Sequence, residues 1–565
     1  MKQKLIVRLV AAMLLLFPIA SEAQTAQQDE LLNALKAEID RSMTHFKKSE
    51  IPVYLLSYRV DEVESYQIYT SFGTLVSSQP KKERLLTVQV RVGDKTLDNF
   101  RELRDDVSDY MSGRRGMTVQ MPLDNNPQAI VQTLWQETEN AYRNAILRYE
   151  KVKANTAVKV EVEDKSPDYS DITPEKYYEK PLPMSNFDFN ISSWENRLKK
   201  YSAIFAENKD VLDGETTLTF KIVRKYFITS EGTSIVQNNT YCHCYLSVNG
   251  LADDGMELPL MELYFAHAPQ GLPDDKTMTE GAEKLSKTLT AMKKAPVVDP
   301  YEGPAILSND AAGVFFHEIF GHRIEGLRLK KESDGQTFKK KVDEVVLNKN
   351  ISVVFDPTIN TYKGIPLNGS FKYDDEGVKG EKVVIVDKGV LKNFLMTRSP
   401  IDRFPKSNGH ARAQAGFQPV SRQSNLIVET EKPYTDEQLK AMLIEEAKKQ
   451  GKEYGYFFAS VRGGFTMTGR FIPNSFNVTP LEVYRIYVDG RPDELVRGVD
   501  LVGTPLAMFS QVEAVGDTPG NFAGTCGAES GGVPAGCCSP ALFVKQIEMQ
   551  KKDKSQDRPP ILERP

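Results

Sequence analysis

Histidine, tryptophan and cysteine are scarce in this chain: six, two and five among 565 residues. Five cysteines are far too few to staple a chain of this length, so a disulfide scaffold is excluded and the core must come from apolar burial. The count is also odd, so full pairing within the chain would leave one thiol over. An excess of charge of one sign is missing too. Lys and Arg number 72 against 77 Asp and Glu, a formal net charge of −5, and the basic footprint that nucleic-acid binding leaves is absent. Beyond residues 9–20 no stretch is long and apolar enough to span a bilayer. There is no internal repeat, Walker-type phosphate loop or dinucleotide fingerprint. What remains is ordinary globular composition, with 40% hydrophobic residues and enough chain for two or more domains.

At the N-terminus Met1, Lys2, Gln3, Lys4 and Arg8 form a short basic region before the apolar residues 9–20, and Ser21 and Ala23 place small residues at −3 and −1 before Gln24. The apolar stretch is too short to cross a membrane and reads as a secretory signal cleaved after Ala23. The mature protein is therefore expected to be exported, periplasmic or secreted. No cysteine follows the cleavage point, so a lipid anchor there is not expected. Helical apolar spacing recurs over residues 30–46, 126–152, 196–206, 276–293 and 435–450, and strand-like alternation over 55–60, 86–92, 216–223, 235–248, 352–355, 383–387, 425–429 and 481–488. Residues 164–183, rich in Pro, Asp, Tyr and Lys, read as a linker or surface excursion. This pattern predicts an α+β chain with segregated antiparallel or mixed sheets rather than a doubly wound fold. The expected divisions are an N-terminal α+β domain over 24–295, a strand-rich domain over 296–550 that opens with a histidine-bearing helix, and a charged, proline-rich disordered tail over 551–565.

Two of the six histidines bracket a glutamate: His317, Glu318 and His322 follow the apolar run Gly313-Val314-Phe315-Phe316. Two imidazoles suit a metal, and a carboxylate beside them suits the base for a metal-bound water. The histidines are five residues apart, which is about 140° around a regular helix, too far to converge on one ion. A metal site therefore requires the helix to bulge or to end near Gly321. Otherwise the two rings face different core partners. Glu325, three residues past His322, is a rival ligand or a carboxylate that supports the site from behind.

The segment continues Arg323-Ile324-Glu325-Gly326, and far downstream comes Gly524-Thr525-Cys526-Gly527-Ala528-Glu529-Ser530-Gly531-Gly532-Val533-Pro534, which reads as a Gly-rich loop around a lone cysteine. Alone, Cys526 reads as a small buried hydrophobe or half a disulfide. Together these features resemble the catalytic member of the TldD/PmbA family of metalloproteases, once described as modulators of DNA gyrase, which carry an HExxxH motif. Asp374-Asp375-Glu376-Gly377, Gly409-His410-Ala411-Arg412 and Gly463-Gly464-Phe465 are further landmarks, and the resemblance runs over residues 300–545. It implies a zinc metallopeptidase with His317, His322 and Cys526 as ligands and Glu318 as general base. Such N, N and S ligands leave a fourth position for water. It also implies a homodimer or a heterodimer with a PmbA-like sister chain, and an enclosed site that admits unfolded peptides.

The chain departs from that family at Arg323 and Leu327, where Gly and Asp are expected. Arg323 would put a cation near the site that selects an acidic group or a C-terminal carboxylate, or else point to solvent. His410 and Arg412 are candidates for oxyanion stabilisation or substrate contact, against a plain turn with exposed polar side chains. Gly463-Gly464-Phe465 offers a backbone edge for an extended peptide. Cys242 and Cys244 share one strand face and His243 takes the other, which argues against a joint metal site. These two thiols, with Cys537 and Cys538, are expected to have no functional role. Two other functions use the same residues: a non-catalytic binding subunit of such a complex, and a metal-dependent amide hydrolase acting on a non-protein, cell-wall substrate.

Overall fold

Two sheets are built one after the other along the chain in the computed structural model, which describes residues 26–103, 118–157, 164–331, 334–469 and 475–552. The signal read in residues 1–23 lies outside the described residues, as does the tail beyond 552. The first sheet is made of two long antiparallel hairpins. Strands β1 (Val53–Ser71) and β2 (Thr74–Val92) turn at Phe72 and Gly73, both at positive φ, and β3 (Asp213–Thr229) pairs with β4 (Ser234–Asn249). The order is β2-β1-β3-β4, with β5 (Leu260–Ala266) added on β4.

Strand periodicity gives this sheet two unlike faces. Leu218, Phe220, Ile222, Tyr226 and Ile228 of β3 all point to one side, where they are buried. Four amphipathic helices cover that side: α1 (Glu30–Phe46) and α2 (Pro127–Ala157) at one end, α3 (Ile191–Ala206) and α4 (Asp275–Lys294) at the other. Asp29, Asn190 and Asp274 cap three of them by accepting a backbone N–H of the first turn. The Asn190 cap explains why α3 begins five residues before its apolar spacing becomes regular. Cys242 and Cys244 are buried on the helix side of β4, with His243 opposite.

The other face carries charge and docks on the second sheet. Arg59 of β1 and Lys225 of β3 both meet Asp375, Arg59 at 3.1 Å. Asp374 accepts the backbone N–H groups of Glu376, Val378 and Ala411. The family landmarks at 374–377 and 409–412 thus form the joint between the two halves. Residues 164–183 are not a free tether: Tyr169 is buried between the guanidinium groups of Arg91 and Arg398, and Lys176–Tyr178 add a short parallel strand to β4.

The second sheet holds β6 (Tyr301–Leu307), β7 (Ile351–Phe355), β8 (Val383–Asp387), β9 (Asn425–Thr430), β10 (Tyr454–Thr466), β11 (Phe476–Tyr487), β12 (Val499–Gly503), β13 (Val512–Ala528) and β14 (Gly531–Lys551). Its order is β8-β7-β9-β14-β12-β11-β10-β6, and β6 pairs again with β14, closing a circuit of strands. The β9–β14 and β10–β6 pairs are parallel, so the sheet is mixed. Helix α5 (Asn309–Ile319) leaves β6 directly and is buried from Ala311 to its end, as its apolar run requires. Helix α6 (Asp436–Lys449) packs outside, its Thr435 and Gln438 forming a capping box. No helix among the described residues is long and apolar enough to cross a membrane.

Candidate metal centre

The five-residue spacing of the histidines is accommodated by ending the helix. α5 stops at Ile319, Phe320 takes φ −120° and ψ −54°, and Gly321–Arg323 form a single 3-10 turn that brings His322 back toward His317. Two side chains take the carbonyl groups freed at this end. Gln423 Nε2 donates to His317 O at 3.3 Å, and Arg323 Nη1 donates to Glu318 O at 2.6 Å and to Ile319 O at 3.4 Å. Gly321 is required for space: a Cβ there would lie 2.0 Å from Gln423 Oε1. Arg323 is 1% exposed, so it neither points to solvent nor offers a cation to substrate. It caps the helix.

His317 Nε2 lies 3.1 Å and His322 Nε2 3.4 Å from the Sγ of Cys526. The possible ligand atoms of these three buried residues all fall within 4.8 Å of one another. A tetrahedral zinc with bonds of about 2.0 Å to nitrogen and 2.3 Å to sulfur separates N from S by roughly 3.5 Å, so the donor set fits such an ion. Glu318 borders the same space, and its Oε2 is buried with no hydrogen-bond partner. Burial raises the Glu318 pKa, which suits a group that must take up a proton. Burial opposes charge on Cys526 and His322 as well, but mutual attraction prevails. Arg422 and the two histidines hold the Cys526 thiol far below its usual range, and the Cys526 thiolate with Glu325 raises His322 to about 9.

Cys526 does not sit in a loop. The Gly-rich segment is the end of β13 and the start of β14, with Cys526 opposite Val533 and Gly531 turning at φ 78°. A buried chain of ionic contacts ties this hairpin to the histidine segment. Glu325 Oε2 stands 3.1 Å from His322 Nδ1 and accepts Arg328 Nε at 2.7 Å, and Arg328 Nη2 donates to Glu529 at 2.6 Å. Glu325 therefore holds the outer nitrogen of His322, on the far side of the ring from Cys526, and is not a rival ligand.

His410 and Arg412 are not brought to this site. His410 is fully buried with Nδ1 at Asn408 O and Nε2 at Ser424 Oγ, and Arg412 Nη1 donates to the carbonyls of Gln423 and Pro534. Neither lines the cavity. The oxyanion and substrate roles expected of them are corrected to packing of the interior. Conversely, Gln423, Arg328, Glu529 and Cys537 belong to the site and were not singled out for it by sequence. Gln423, Glu529 and Cys537 are each far in the sequence from the group they touch, and only Arg328, three residues from Glu325, carries a local signal.

The cluster opens on a cavity of about 1160 Å³ between the two sheets, bordered by Tyr245 and Leu263 on one side and by Gly463, Gly464 and Phe465 on the other. A closed helix end, two imidazoles, a thiolate and a buried carboxylate oxygen without a partner form a site that could hold a metal ion on an α+β frame. Residues 300–551 match the family described as the PmbA/TldA metallopeptidase C-terminal domain. Over that segment, a little under half of its length, the chain is similar to the TldD/PmbA family.

Among its relatives, a metalloprotease of Methanocaldococcus jannaschii is 30% identical over 319 residues, 55% of this chain and 64% of that one. A zinc metalloprotease TldD homolog of Saccharolobus solfataricus is 24% identical over 268 residues, 47% of this chain and 55% of that one. The chain thus spans less than two thirds of the length of these relatives. The crystal structure of TldE from Thermococcus kodakarensis shares the fold, with a TM-score of 0.58 at 14% identity, covering 91% of this chain and all of that one (100%).

Proposed function

We propose that this chain is an exported zinc-dependent peptidase that hydrolyses unfolded peptides, with His317, His322 and Cys526 as ligands and Glu318 as general base. The observation that carries the reading is the convergence of two Nε2 atoms and one Sγ beside a buried, partnerless carboxylate oxygen. Bound zinc would supply a Lewis acid and a water of lowered pKa. The protein's own share is to hold Glu318 Oε2 ready for a proton, to pass that proton to the leaving amine, and to keep both rings oriented.

An extended peptide fits the cavity. β6 pairs with β10 only at Tyr456–Phe458, so among the described residues one edge of Arg462–Thr466 is unpaired while it borders the cavity. Such an edge binds backbone rather than side chains, which favours unfolded over folded substrates. A dimer, of two such chains or with a sister chain, belongs to the same proposal and rests on the resemblance of residues 300–545 alone. Export rests on residues 1–23 alone.

Zinc content and peptide cleavage for wild type, Glu318→Ala and Cys526→Ala test the reading. Glu318→Ala should keep zinc and lose turnover by about 10²-fold or more, while Cys526→Ala should lose zinc. Full cleavage by Glu318→Ala would remove the mechanism, and zinc retained at wild-type affinity by Cys526→Ala would remove the ligand set.

A further inference from the structure

Cys537 stands on the other side of the His317 ring from Cys526. Its Sγ lies 3.4 Å from His317 Nδ1, while Cys526 Sγ lies 3.1 Å from Nε2 of the same ring. Cys537 is 3% exposed and sits in β14, paired on one side with Leu426 and on the other with Phe522, so its backbone is fixed by two neighbouring strands. His322 shows the same arrangement with different chemistry: Nε2 faces Cys526 and Nδ1 meets Glu325.

An imidazole whose Nε2 binds a metal carries its proton on Nδ1, and that proton needs an acceptor. For His322 the acceptor is a carboxylate. For His317 the atom in that place is a thiol sulfur. We propose that Cys537 is a positioning residue: it accepts the Nδ1–H of His317, and thereby sets the tautomer and the plane of the ring for metal binding. It is not a fourth ligand, because it meets the nitrogen that points away from the converging donors. Nor is it poised to form a disulfide with Cys526, because the His317 ring lies between the two sulfurs. The centre is therefore asymmetric, with one histidine braced by a carboxyl oxygen and the other by a sulfur.

The inference rests on the metal-binding reading above and is tested on the full chain with Zn2+ alone as probe. Zinc affinity is measured by chelator competition for wild type, Cys537→Ala, Cys537→Ser and Cys537→Val, together with the thermal midpoint of each metal-free protein. Loss of the acceptor in the Ala and Val variants should weaken zinc binding by about 10- to 100-fold. Ser, which keeps an acceptor in nearly the same volume, should recover most of that loss. Val refills the space without an acceptor, so it carries the comparison if the Ala variant folds poorly. Wild-type zinc affinity in both Ala and Val variants, or a Ser variant as weak as Ala, overturns the role of Cys537. A wild-type protein that binds no zinc overturns the metal reading itself.

Discussion

A methyl group on Gly464 would stand 2.7 Å from the Cγ of Glu318. Strand β10 passes so close to the carboxylate that its wall at this point is bare backbone, and the Glu318 side chain is confined between that wall and its own helix. Gly464→Ala should therefore displace the carboxylate while leaving the three ligands untouched. Since a misplacement of about 1 Å can cost about 10²-fold, kcat should fall by roughly 10- to 100-fold with zinc content unchanged. Unaltered kcat would show that the close approach does not position the base.

Glu325 is the hub of the buried contacts behind His322, and its two kinds of substitution should separate its roles. Glu325→Gln can still accept the Nδ1–H of His322 and should weaken zinc binding only modestly. Glu325→Ala removes that acceptor and one of the Arg328 contacts, so zinc affinity should drop about 10- to 100-fold. It should also lower stability, because a buried cation loses a partner; breaking such a pair costs about 3–5 kcal/mol when nothing compensates, and less here since Glu529 and Asp334 remain beside Arg328. Chelator competition and denaturant midpoints read the two effects separately. Equal zinc affinity for the Gln and Ala variants would contradict the assigned contact.

The features legible in the sequence were those set by local rules. Apolar periodicity places α1, α3, α4 and α6, with α3 beginning earlier than its spacing indicates because Asn190 caps it. The impossibility of a regular helix through His317 and His322 requires a bulge or an ending near Gly321, of which the structure has the ending. What local rules could not show were pairings across long separations. Gly321 marks where the helix must bulge or end, but the group that leaves no room for a Cβ there is the side chain of Gln423, about a hundred positions later. Arg323 was read as a cation for substrate or solvent, and its partners are carbonyls of the preceding turn exposed only because the helix ends there. Cys537 had no sequence neighbour to mark it, and only the pairing of β14 with β13 sets it beside His317.

The cap assigned to Arg323 makes a prediction about specificity as well as stability. Arg323→Met should leave the carbonyls of Glu318 and Ile319 without that donor, and a buried unsatisfied polar group costs about 1–3 kcal/mol. Because the guanidinium is turned to the helix end, the ratio of kcat/KM for acidic and neutral peptides should stay within about twofold of wild type. Thermal midpoint and paired peptide assays check both parts. A large loss of preference for acidic peptides in the variant would return Arg323 to the substrate.

His410 should make the fold acid-sensitive in a defined window. Burial lowers its pKa to about 3, opposed only in part by its bond to Asn408. In the unfolded chain the same ring titrates near about 6.5. Above that pH both states are neutral and the group adds no pH dependence. As pH falls below 6.5 the unfolded chain takes up a proton that the folded ring refuses, so stability declines, by up to about 1.4 kcal/mol per pH unit, until pH approaches 3. His410→Gln should lose about 1–3 kcal/mol at pH 7 through its buried hydrogen bonds, yet show a shallower loss between pH 6 and pH 4. Denaturant titrations of both proteins at pH 7, 6, 5 and 4 measure the difference, which cancels the contribution of every other group common to the two. Parallel slopes across that range would mean that His410 is protonated as readily folded as unfolded, and that its contacts with Asn408 and Ser424 do not hold it neutral.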